Sequence, residues 1–500
     1  MFVKALSECN IGAARKRMAR LEDSIVQAAR EGTAAHVVEL DLFRELLALG
    51  AELFGEFINL VGAGDKGETA TLDNEQVVKR LEEQHRRWLV TIFGKFSIPR
   101  WVYGTREGQK IEWVPTDQRL QLPEGETSYL LQNWSQMLDV EQAFGTVAEM
   151  LETIFELARP VDTLERGNRQ MAEAAPAFRA AQPAPDPKAE GELLVASEDN
   201  KGVPMVRPAQ SVPAGAHRKK GEKANKKQMA TIGCVYTVDR QVRTAEDLVA
   251  ALFRDPDLKR RQQPRACQKR YWASLTREVA GEVVRAQDEV FQHMADDIAI
   301  RRRPGQTLLH LSDGQHSLED DRKKYLPQDC QTVDILDLLH VAPRLWEAAH
   351  LFHGEGSDAA TAFVRERMLR VLQGKAKGVI TGLRRMGTEQ ELRGANATRL
   401  RKLCDFLASN LHRMHYDQYL LFGYPIATGV IEGACRHIVR DRMERAGMRW
   451  KVPGAQAMLE LRTIYTNGDW KAFQTYRIEQ ENKRLYPHSQ MQEQFPRLVA

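Results

Sequence analysis

The strongest constraint on the fold of this 500-residue chain is a change of hydrophobic period after residue 191. Residues 192–199, 227–239 and 306–313 have the composition of β-strands, and residues 329–341 begin as a fourth strand. Helical patterns fall between these stretches, notably at 245–255 and 270–299. Strands mixed with crossover helices predict an α/β layer with helices on the faces of the sheet. A proline-rich segment at 181–191 predicts a linker that precedes this α/β layer.

The remaining patterns are mainly helical. Residues 1–92 predict helices, and a second helical region covers 338–422. Residues 93–114 carry β-favouring residues around a turn-like stretch at 104–109 and predict a hairpin, whereas 476–500 read as a polar tail. Within 36–61, one helical face is apolar, and we expect it to be core: Val38, Leu42, Leu46, Leu49, Leu53, Phe57 and Leu60.

Composition excludes several other classes of protein. Hydrophobic residues make up 43% and charged residues 28% of the chain, as in ordinary globular domains. No apolar run reaches the roughly 18 residues of a membrane span, and the first residues lack the pattern of a secretory signal. The six scattered cysteines contain no CxxC pair, which argues against a disulfide framework or a thiolate zinc site. We therefore expect a cytoplasmic protein without a membrane partner.

Three carboxylates stand where an α/β fold places its chemistry. Asp199 and Asp313 each follow a predicted strand, and Gly314 allows a sharp exit from the second strand. Glu432 lies in the first turns of a predicted helix with an apolar face. Because ligands bind at the carboxyl ends of the strands in such sheets, these side chains are candidate ligands. Three carboxylates can hold two divalent cations about 4 Å apart, which together promote displacement at phosphorus.

Other interpretations of these acids stay open. Each one also fits a structural role, either as a turn residue or as a partner of a helix dipole. Asp239 ends the second predicted strand and is an alternative first acid, and Asp334 or Asp337 could replace Asp313. Glu198 adjoins Asp199, but strand alternation places it on the opposite face.

Basic residues are concentrated locally in a chain whose net charge is only +4. Residues 215–228 form a basic run that suits either DNA phosphates or a solvated loop. Arg440, Arg442 and Arg449 cluster near Glu432, and basic residues alternate with aromatic ones in the predicted hairpin. The candidate DNA-binding residues are Arg100, Lys110, Arg218, Lys219, Lys220, Lys223, Lys226, Lys227, Arg440, Arg442 and Arg449.

Longer stretches of the sequence resemble a known family. EDNKGVPMV, the following basic loop and KKQMATIGCVYTVDRQVRT resemble bacterial insertion-sequence transposases of the ISKra type. These are DDE enzymes, related to the Mutator branch, with an RNase H-like core. LSDGQHSLEDDRKKYLP resembles the region of the second acid, and PIATGVIEGACRHIVRDRMERAGMRWKVPGAQAMLELRTIYTNGDW resembles the glutamate helix. TIFGKFSIPRWVY and PTDQRLQLPEG resemble the upstream hairpin and turn, so that the resemblance covers roughly residues 90–475.

The resemblance implies an α/β RNase H-like catalytic core over 192–337 and 423–475. An all-helical insertion at 338–422 would interrupt it, and a mainly helical N-terminal region with a β-hairpin, 1–180, would precede it and bind DNA ends. Asp199, Asp313 and Glu432 would be the catalytic acids and would bind two Mg²⁺ ions per site, for which Mn²⁺ can substitute. Asp337 and His340 match a D-x-x-H signature of related transposases. The family usually has Asp-Gly-Lys-Gly where this chain has Asp199-Asn200-Lys201-Gly202; asparagine tolerates a positive φ, so a turn is still expected.

The function implied by the resemblance is DNA transposition in the bacterial cytoplasm, at the nucleoid. The enzyme would hydrolyse a phosphodiester at the element's end and transfer the freed 3′-hydroxyl to target DNA. Its partners would be double-stranded DNA, comprising terminal inverted repeats and target, and a second copy of the chain in a homodimer or larger assembly. Two alternatives are a transposase-derived DNA-binding protein without cleavage activity and a stand-alone RNase H-like nuclease.

Overall fold

The computed structural model describes residues 12–105, 111–206, 227–256, 263–427, 429–445 and 447–488, without the side chains of His316 and Ser317. The chain divides into two compact units. One comprises residues 1–174 and 471–500, and the other comprises 175–470. No helix in the described part of the chain is long and apolar enough to cross a membrane.

The first unit begins with two long helices, α1 (Gly12–Glu31) and α2 (Ala35–Val61). Short antiparallel strands follow: β1 (Thr69–Thr71), β2 (Val77–Arg80), β3 (His85–Thr91), β4 (Gly94–Arg100), β5 (Tyr103–Gly104) and β6 (Ile111–Trp113). Four helices come next: α3 (Pro115–Leu120), α4 (Tyr129–Asp139), α5 (Phe144–Phe155) and α6 (Val161–Ala172).

The prediction of helices throughout 1–92 is wrong beyond residue 61. Gly62, Gly64 and Gly67 adopt positive φ angles and end the helical region. The predicted hairpin is confirmed, because β5 and β6 pair antiparallel on either side of the predicted turn, with Tyr103↔Trp113 and Gly104↔Ile111. The sequence does not predict a second hairpin upstream, in which β3 pairs with β4 from His85↔Arg100 to Thr91↔Gly94. Lys110 lies outside the described residues.

The predicted apolar face of α2 is not core in this chain. Leu46, Leu53, Phe57 and Leu60 are each between 42% and 48% exposed. The helix packs through other positions: a Cβ at Gly50 would lie 2.5 Å from the Phe93 ring, and Ile58 is buried with Leu89 and Ile98. An apolar stripe therefore stays open to solvent.

The second unit is built on a five-stranded mixed sheet. Its elements up to the last strand are α7 (Ala175–Ala181), β7 (Leu193–Pro204), β8 (Lys227–Val238), α8 (Ala245–Leu252), β9 (Cys267–Leu275), the hairpin β10 (Arg277–Val279) and β11 (Glu282–Val284), α9 (Ala286–Arg301), β12 (Leu308–Ser312), α10 (His316–Tyr325) and β13 (Thr332–Leu336). The strand order is β13-β12-β7-β8-β9. Strands β13, β12 and β7 are parallel to each other, and β8 is antiparallel to both of its neighbours.

Strand β9 is absent from the sequence prediction, which assigns 270–299 to a helix. The segment pairs with β8 from Ala230↔Leu275 to Thr237↔Cys267. Tyr271, Trp272 and Leu275 are all buried, and a short run buried on both faces has no period that separates strand from helix. Helix α9 begins only at Ala286 and packs closely on β8, where a Cβ at Gly233 would lie 2.5 Å from Val290 and Met294.

Five helices follow the sheet, in the region of the predicted helical insertion: α11 (Leu338–Phe352), α12 (Asp358–Leu372), α13 (Ala376–Glu389), α14 (Gly394–Ser409) and α15 (Tyr416–Leu421). The chain then forms α16 (Gly429–Ala434), a π-helical turn (Cys435–Arg440), α17 (Asp441–Met443), α18 (Val452–Thr466) and α19 (Trp470–Leu485).

The polar tail predicted at 476–500 is helical as far as Leu485. Arg477 explains why this segment is ordered, because its guanidinium donates to Gln132 Oε1 at 2.9 Å and to Gln474 Oε1 at 3.1 Å. The segment from residue 476 can therefore be polar and still pack, because the buried side chain of Arg477 makes these hydrogen bonds.

Candidate metal-dependent active site

Asp199 lies within β7 and not at its end. The strand continues to Pro204 because β8 pairs with it over twelve residues, from Leu193↔Val238 to Pro204↔Lys227. The turn expected at Asp199-Asn200 is therefore wrong. Asn200 pairs with Thr231 in the ladder and accepts a hydrogen bond from Thr231 Oγ1 at 2.8 Å. The asparagine is thus part of the sheet, and no positive φ is needed there.

The registers of the parallel strands bring three aspartates level with one another. Leu311 is opposite Ser197, so continuing both strands by two residues places Asp313 beside Asp199. Ser312 is opposite Leu336, so the next residues, Asp313 and Asp337, are also neighbours. Since adjacent strands lie about 4.8 Å apart, these residues form one acidic row. We call Asp199, Asp313 and Asp337 the aspartate row.

The turn after β12 orients Asp313. Its Oδ1 accepts a hydrogen bond from the backbone N–H of Gln315 at 2.7 Å. Gly314 has a φ of 86°, and a Cβ there would lie 2.8 Å from Leu336. The predicted sharp exit at this glycine is confirmed, because both its backbone angle and its surroundings exclude a larger residue.

Glu432 is carried to the aspartate row by α16. The predicted apolar face of this segment is buried: Ile431, Cys435, Ile438, Val439 and Met443 are each at most 5% exposed. Cys435 Sγ donates to Asp199 Oδ2 at 3.3 Å, which connects the segment directly to β7. The π-helical turn begins at Cys435, and such turns are frequent at functional sites.

Charge repulsion links the acids. Burial raises the pKa of Asp199, the hydrogen bonds from Cys435 and Asn200 oppose this, and the Asp313 charge raises it further. Burial also raises the pKa of Glu432, and the charges of Asp337 and Asp199 add to it, whereas His340 lowers it. A bound divalent cation would relieve this repulsion, and carboxylate oxygens are the donors that Mg²⁺ and Mn²⁺ prefer.

The tightest group of potential metal ligands differs from the predicted set. Asp337, His340 and Glu432 each offer one ligand atom, and these atoms lie within 4.8 Å of one another. Among the residues that the structure describes, Asp199 and Asp313 lie outside this group. The sequence predicts Asp337 only as an alternative to Asp313, and His340 only as part of the D-x-x-H signature. In the structure, Asp337 and His340 both lie next to Glu432 as potential metal ligands.

Two rival acids lie elsewhere. Asp239 follows β8, which runs antiparallel to β7. It therefore lies at the opposite end of the strands, beside the start of β7, where its Oδ1 accepts a hydrogen bond from Glu192 N at 3.3 Å. Asp334 lies within β13 and pairs with Arg322 at 2.8 Å. Neither residue belongs to the aspartate row.

A buried ion-pair network that the sequence does not predict lies beside the site. Glu198 Oε2 lies 2.7 Å from His310 Nε2, and both side chains are about 1% exposed or less. Burial lowers the pKa of His310, but the charges of Glu198 and Asp334 outweigh it and raise the pKa above its ordinary value. The available sequence signal is His310, which is flanked by leucines in the strand LLHLS. Glu198 lies on the face of the sheet opposite to Asp199, as the alternation of side chains along a strand predicts.

The structure modifies the set of predicted DNA-binding residues. Arg442 is 1% exposed and stacks over the Trp450 ring, so the prediction that it contacts phosphate is wrong; the buried face of its segment holds it inside. Arg440 and Arg449 are exposed. Arg100 pairs with Asp117, and Lys227 pairs with Glu444 at 2.9 Å. Arg218, Lys219, Lys220, Lys223 and Lys226 lie outside the described residues.

Comparisons with known proteins give little further information. No protein-family model matches the chain, and no curated protein matches it. Among solved structures, the Drosophila P element transposase strand transfer complex is similar over 72% of this chain and 85% of that chain, at 12% identity and a TM-score of 0.23. A similarity this low assigns neither a fold nor a function by itself.

Proposed function

We propose that the protein is a DNA transposase of the ISKra type that acts in the bacterial cytoplasm, at the nucleoid. Its sheet would be the RNase H-like core, and it would cleave and join DNA at the ends of an insertion sequence. The observation that carries the proposal is the aspartate row, which faces a glutamate helix tied to β7 through the hydrogen bond from Cys435 to Asp199. The order of the five strands and the helical insertion before Glu432 support it.

In this proposal Asp199, Asp313 and Glu432 hold two Mg²⁺ ions, and Mn²⁺ can replace them. Such ions, when bound, activate a water or a 3′-hydroxyl and stabilise the oxygen that leaves phosphorus. Asp199 must be ionised to act as a ligand, and Cys435 and the backbone N–H of Asn200 donate hydrogen bonds that favour this form. Gly314 lets the chain turn immediately after Asp313 and so keeps that carboxylate at the sheet edge.

Double-stranded DNA, in the form of terminal inverted repeats and target, is the proposed partner. Arg440 and Arg449 are exposed and follow Glu432 in the chain, so they are candidates for phosphate contacts near the scissile bond. The basic run at 215–228 separates β7 from β8 and is a second candidate. With a net charge of only +4, DNA contact would depend on these local groups.

We also propose that the chain assembles as a homodimer through α1 and α2. The apolar stripe of α2 would form the centre of this interface, since a dimer needs an apolar core surrounded by polar groups. Its four half-exposed residues follow one another at helical spacing: Leu46, Leu53, Phe57 and Leu60. Exposed basic residues on α1, Arg15, Lys16 and Arg20, and exposed acidic residues on α2, Glu39 and Asp41, are charges of opposite sign that two copies could pair.

The test is cleavage of a supercoiled plasmid that carries the native flanks of the gene, with Mg²⁺ or Mn²⁺. We expect metal-dependent nicking at discrete sites in the flanks, and we expect Asp199→Asn, Asp313→Asn and Glu432→Gln to abolish it. Asp239→Asn is the matched control, because this aspartate lies at the opposite end of the strands of the same sheet. DNA binding by all variants, measured by gel shift, would show that they fold.

Three results would contradict the proposal or a part of it. Binding to the flanks without cleavage by the wild type would indicate a DNA-binding protein that has lost its activity. Cleavage of branched DNA without joining of a donor end to a target would indicate a stand-alone nuclease. Normal cleavage by Asp313→Asn, together with none by Asp337→Asn, would make Asp337 the second acid.

A further inference from the structure

Asp337, His340 and Glu432 converge from two separate elements. Asp337 directly precedes α11 and caps it, accepting a hydrogen bond from Leu339 N at 2.7 Å, and His340 lies in the first turn of the same helix. Glu432 comes from α16, and the three ligand atoms lie within 4.8 Å of one another. A bound cation requires ligand atoms about 3–3.5 Å apart, a spacing that small side-chain rotations can provide.

Backbone hydrogen bonds hold the two elements in place. Leu338 N donates to Ile426 O at 2.9 Å, which links the start of α11 to the segment that leads into α16. Asp337 N donates to Ser312 O at 2.9 Å, which links the same point to the end of β12. Asp337 is 1% exposed. The group therefore has the fixed backbone that a preorganised ligand set needs.

The charges around the group favour a cation. Two carboxylates face one imidazole, and their ligand atoms lie within 4.8 Å of one another. A divalent cation between these side chains would offset the repulsion between the two carboxylates. Asp199 and Asp313 remain outside the group. The position therefore adjoins the other two members of the aspartate row without including their ligand atoms.

We propose that Asp337, His340 and Glu432 form a cation position with one imidazole ligand, which takes a first-row transition-metal ion in preference to Mg²⁺. Imidazole nitrogen suits these ions, whereas Mg²⁺ prefers oxygen ligands and keeps most of its waters. Three protein ligands leave coordination places open, as in catalytic sites and unlike closed structural zinc sites. The inference rests on the proposed function only in that Glu432 belongs to both sites.

The test is binding of Co²⁺ to the full-length chain without DNA, followed by visible absorption and repeated with Mg²⁺ as competitor. We expect a Co²⁺ spectrum with nitrogen ligation that Mg²⁺ does not displace at tenfold excess. His340→Ala is expected to weaken Co²⁺ binding at least tenfold, and His340→Gln serves as a second variant if the first does not fold. His350→Ala is the matched control, because His350 is exposed on the same helix.

Each outcome decides between this position and the proposed function. Unchanged Co²⁺ binding in both His340 variants would overturn the inference and leave the trio a hydrogen-bonded contact between α11 and α16. Displacement of Co²⁺ by an equal concentration of Mg²⁺ would overturn the claimed selectivity. Asp313→Asn is expected to keep the His340-dependent binding. If the His340-dependent binding is present but no DNA is cut, the inference stands and the transposase proposal fails. If cleavage requires Asp313 but Co²⁺ binding does not depend on His340, the inference fails and the transposase proposal stands.

Discussion

Cys435 donates its thiol hydrogen to the carboxylate of Asp199 at 3.3 Å, and this bond joins the glutamate helix to the strand that carries the first acid. The thiol itself stays protonated, because burial and the charge of Asp199 raise its pKa. Cys435 is thus a permanent donor that favours the ionised form of Asp199. It positions the acid without itself being a proposed metal ligand.

Replacing this donor should change the pH dependence of cleavage. We expect Cys435→Ala to move the acidic limb of the pH–rate profile to higher pH, because Asp199 loses a hydrogen bond that lowers its pKa. Cys435→Ser keeps a donor and should move the profile less. Cys404→Ala is the control for loss of a buried thiol, since Cys404 is also fully buried but lies in α14. Equal profiles for all three variants would show that the bond has no effect on Asp199.

The metal-free protein should lose stability as the pH rises. The pKa values of Asp199 and Glu432 are raised in the folded state, so the folded chain binds more protons than the unfolded chain between the ordinary carboxyl values of about 4 and the raised values. Their stabilising contribution is complete below about pH 4 and disappears as the pH passes the folded values. In EDTA, we expect Asp199→Asn to flatten this decline between pH 4 and 8, whereas Asp239→Asn does not. The check is the melting temperature, and identical pH slopes for wild type and Asp199→Asn would contradict it.

Divalent cations should reverse that trend. A ligand that binds only the folded state raises stability, and the carboxylates bind it in their ionised form. Mn²⁺ is therefore expected to raise the melting temperature by several degrees at pH 8 and by much less at pH 5. The stabilisation should be smaller in Asp313→Asn than in wild type. A shift that is the same size at both pH values would show that the site carboxylates are not the ligands.

Breaking the buried pair of Glu198 and His310 should be costly. His310→Ala leaves the Glu198 carboxylate buried without its partner, and we expect a loss of about 3 kcal/mol in urea unfolding. The pKa of His310 is raised, so the contribution of the pair is complete below about pH 6.5 and declines as the pH passes the raised value. The double variant Glu198→Gln, His310→Ala should recover part of the loss. His350→Ala, at an exposed site, should cost less than about 0.5 kcal/mol. Comparable losses in the two single histidine variants would contradict the role of the pair.

The open face of α2 should control assembly. Leu53→Glu combined with Phe57→Glu places charges in the apolar stripe, and we expect the variant to be monomeric where the wild type is a dimer. Light scattering after size-exclusion chromatography measures this directly. Val283→Glu is the control, because Val283 is 69% exposed but lies in β11. A monomeric wild type, or a dimer that survives the double substitution, would rule out this interface.

The amino-acid sequence by itself determined the α/β class of the second unit, four of the five strands of its sheet, the glycine turn after Asp313 and the buried apolar face of the segment that carries Glu432. These features are local, since they depend on alternation, on a positive φ and on helical spacing within one segment. The candidate acids could be predicted for the same reason, because each one follows or lies in a strand or helix whose hydrophobic periodicity the sequence shows.

Tertiary structure decided what depends on pairing between distant segments. Strand β9 is identified only by its pairing with β8. A segment that is buried on both faces has no alternation of polar and apolar residues that would distinguish a strand from a helix. Pairing with β8 also extends β7 beyond Asp199, where the sequence predicts a turn. Register placed Asp337 level with Asp313, and the packing of α16 brought Glu432 to His340. Burial likewise separated Arg442 from Arg440, two residues away, because the sequence does not show which side of a short segment faces the core.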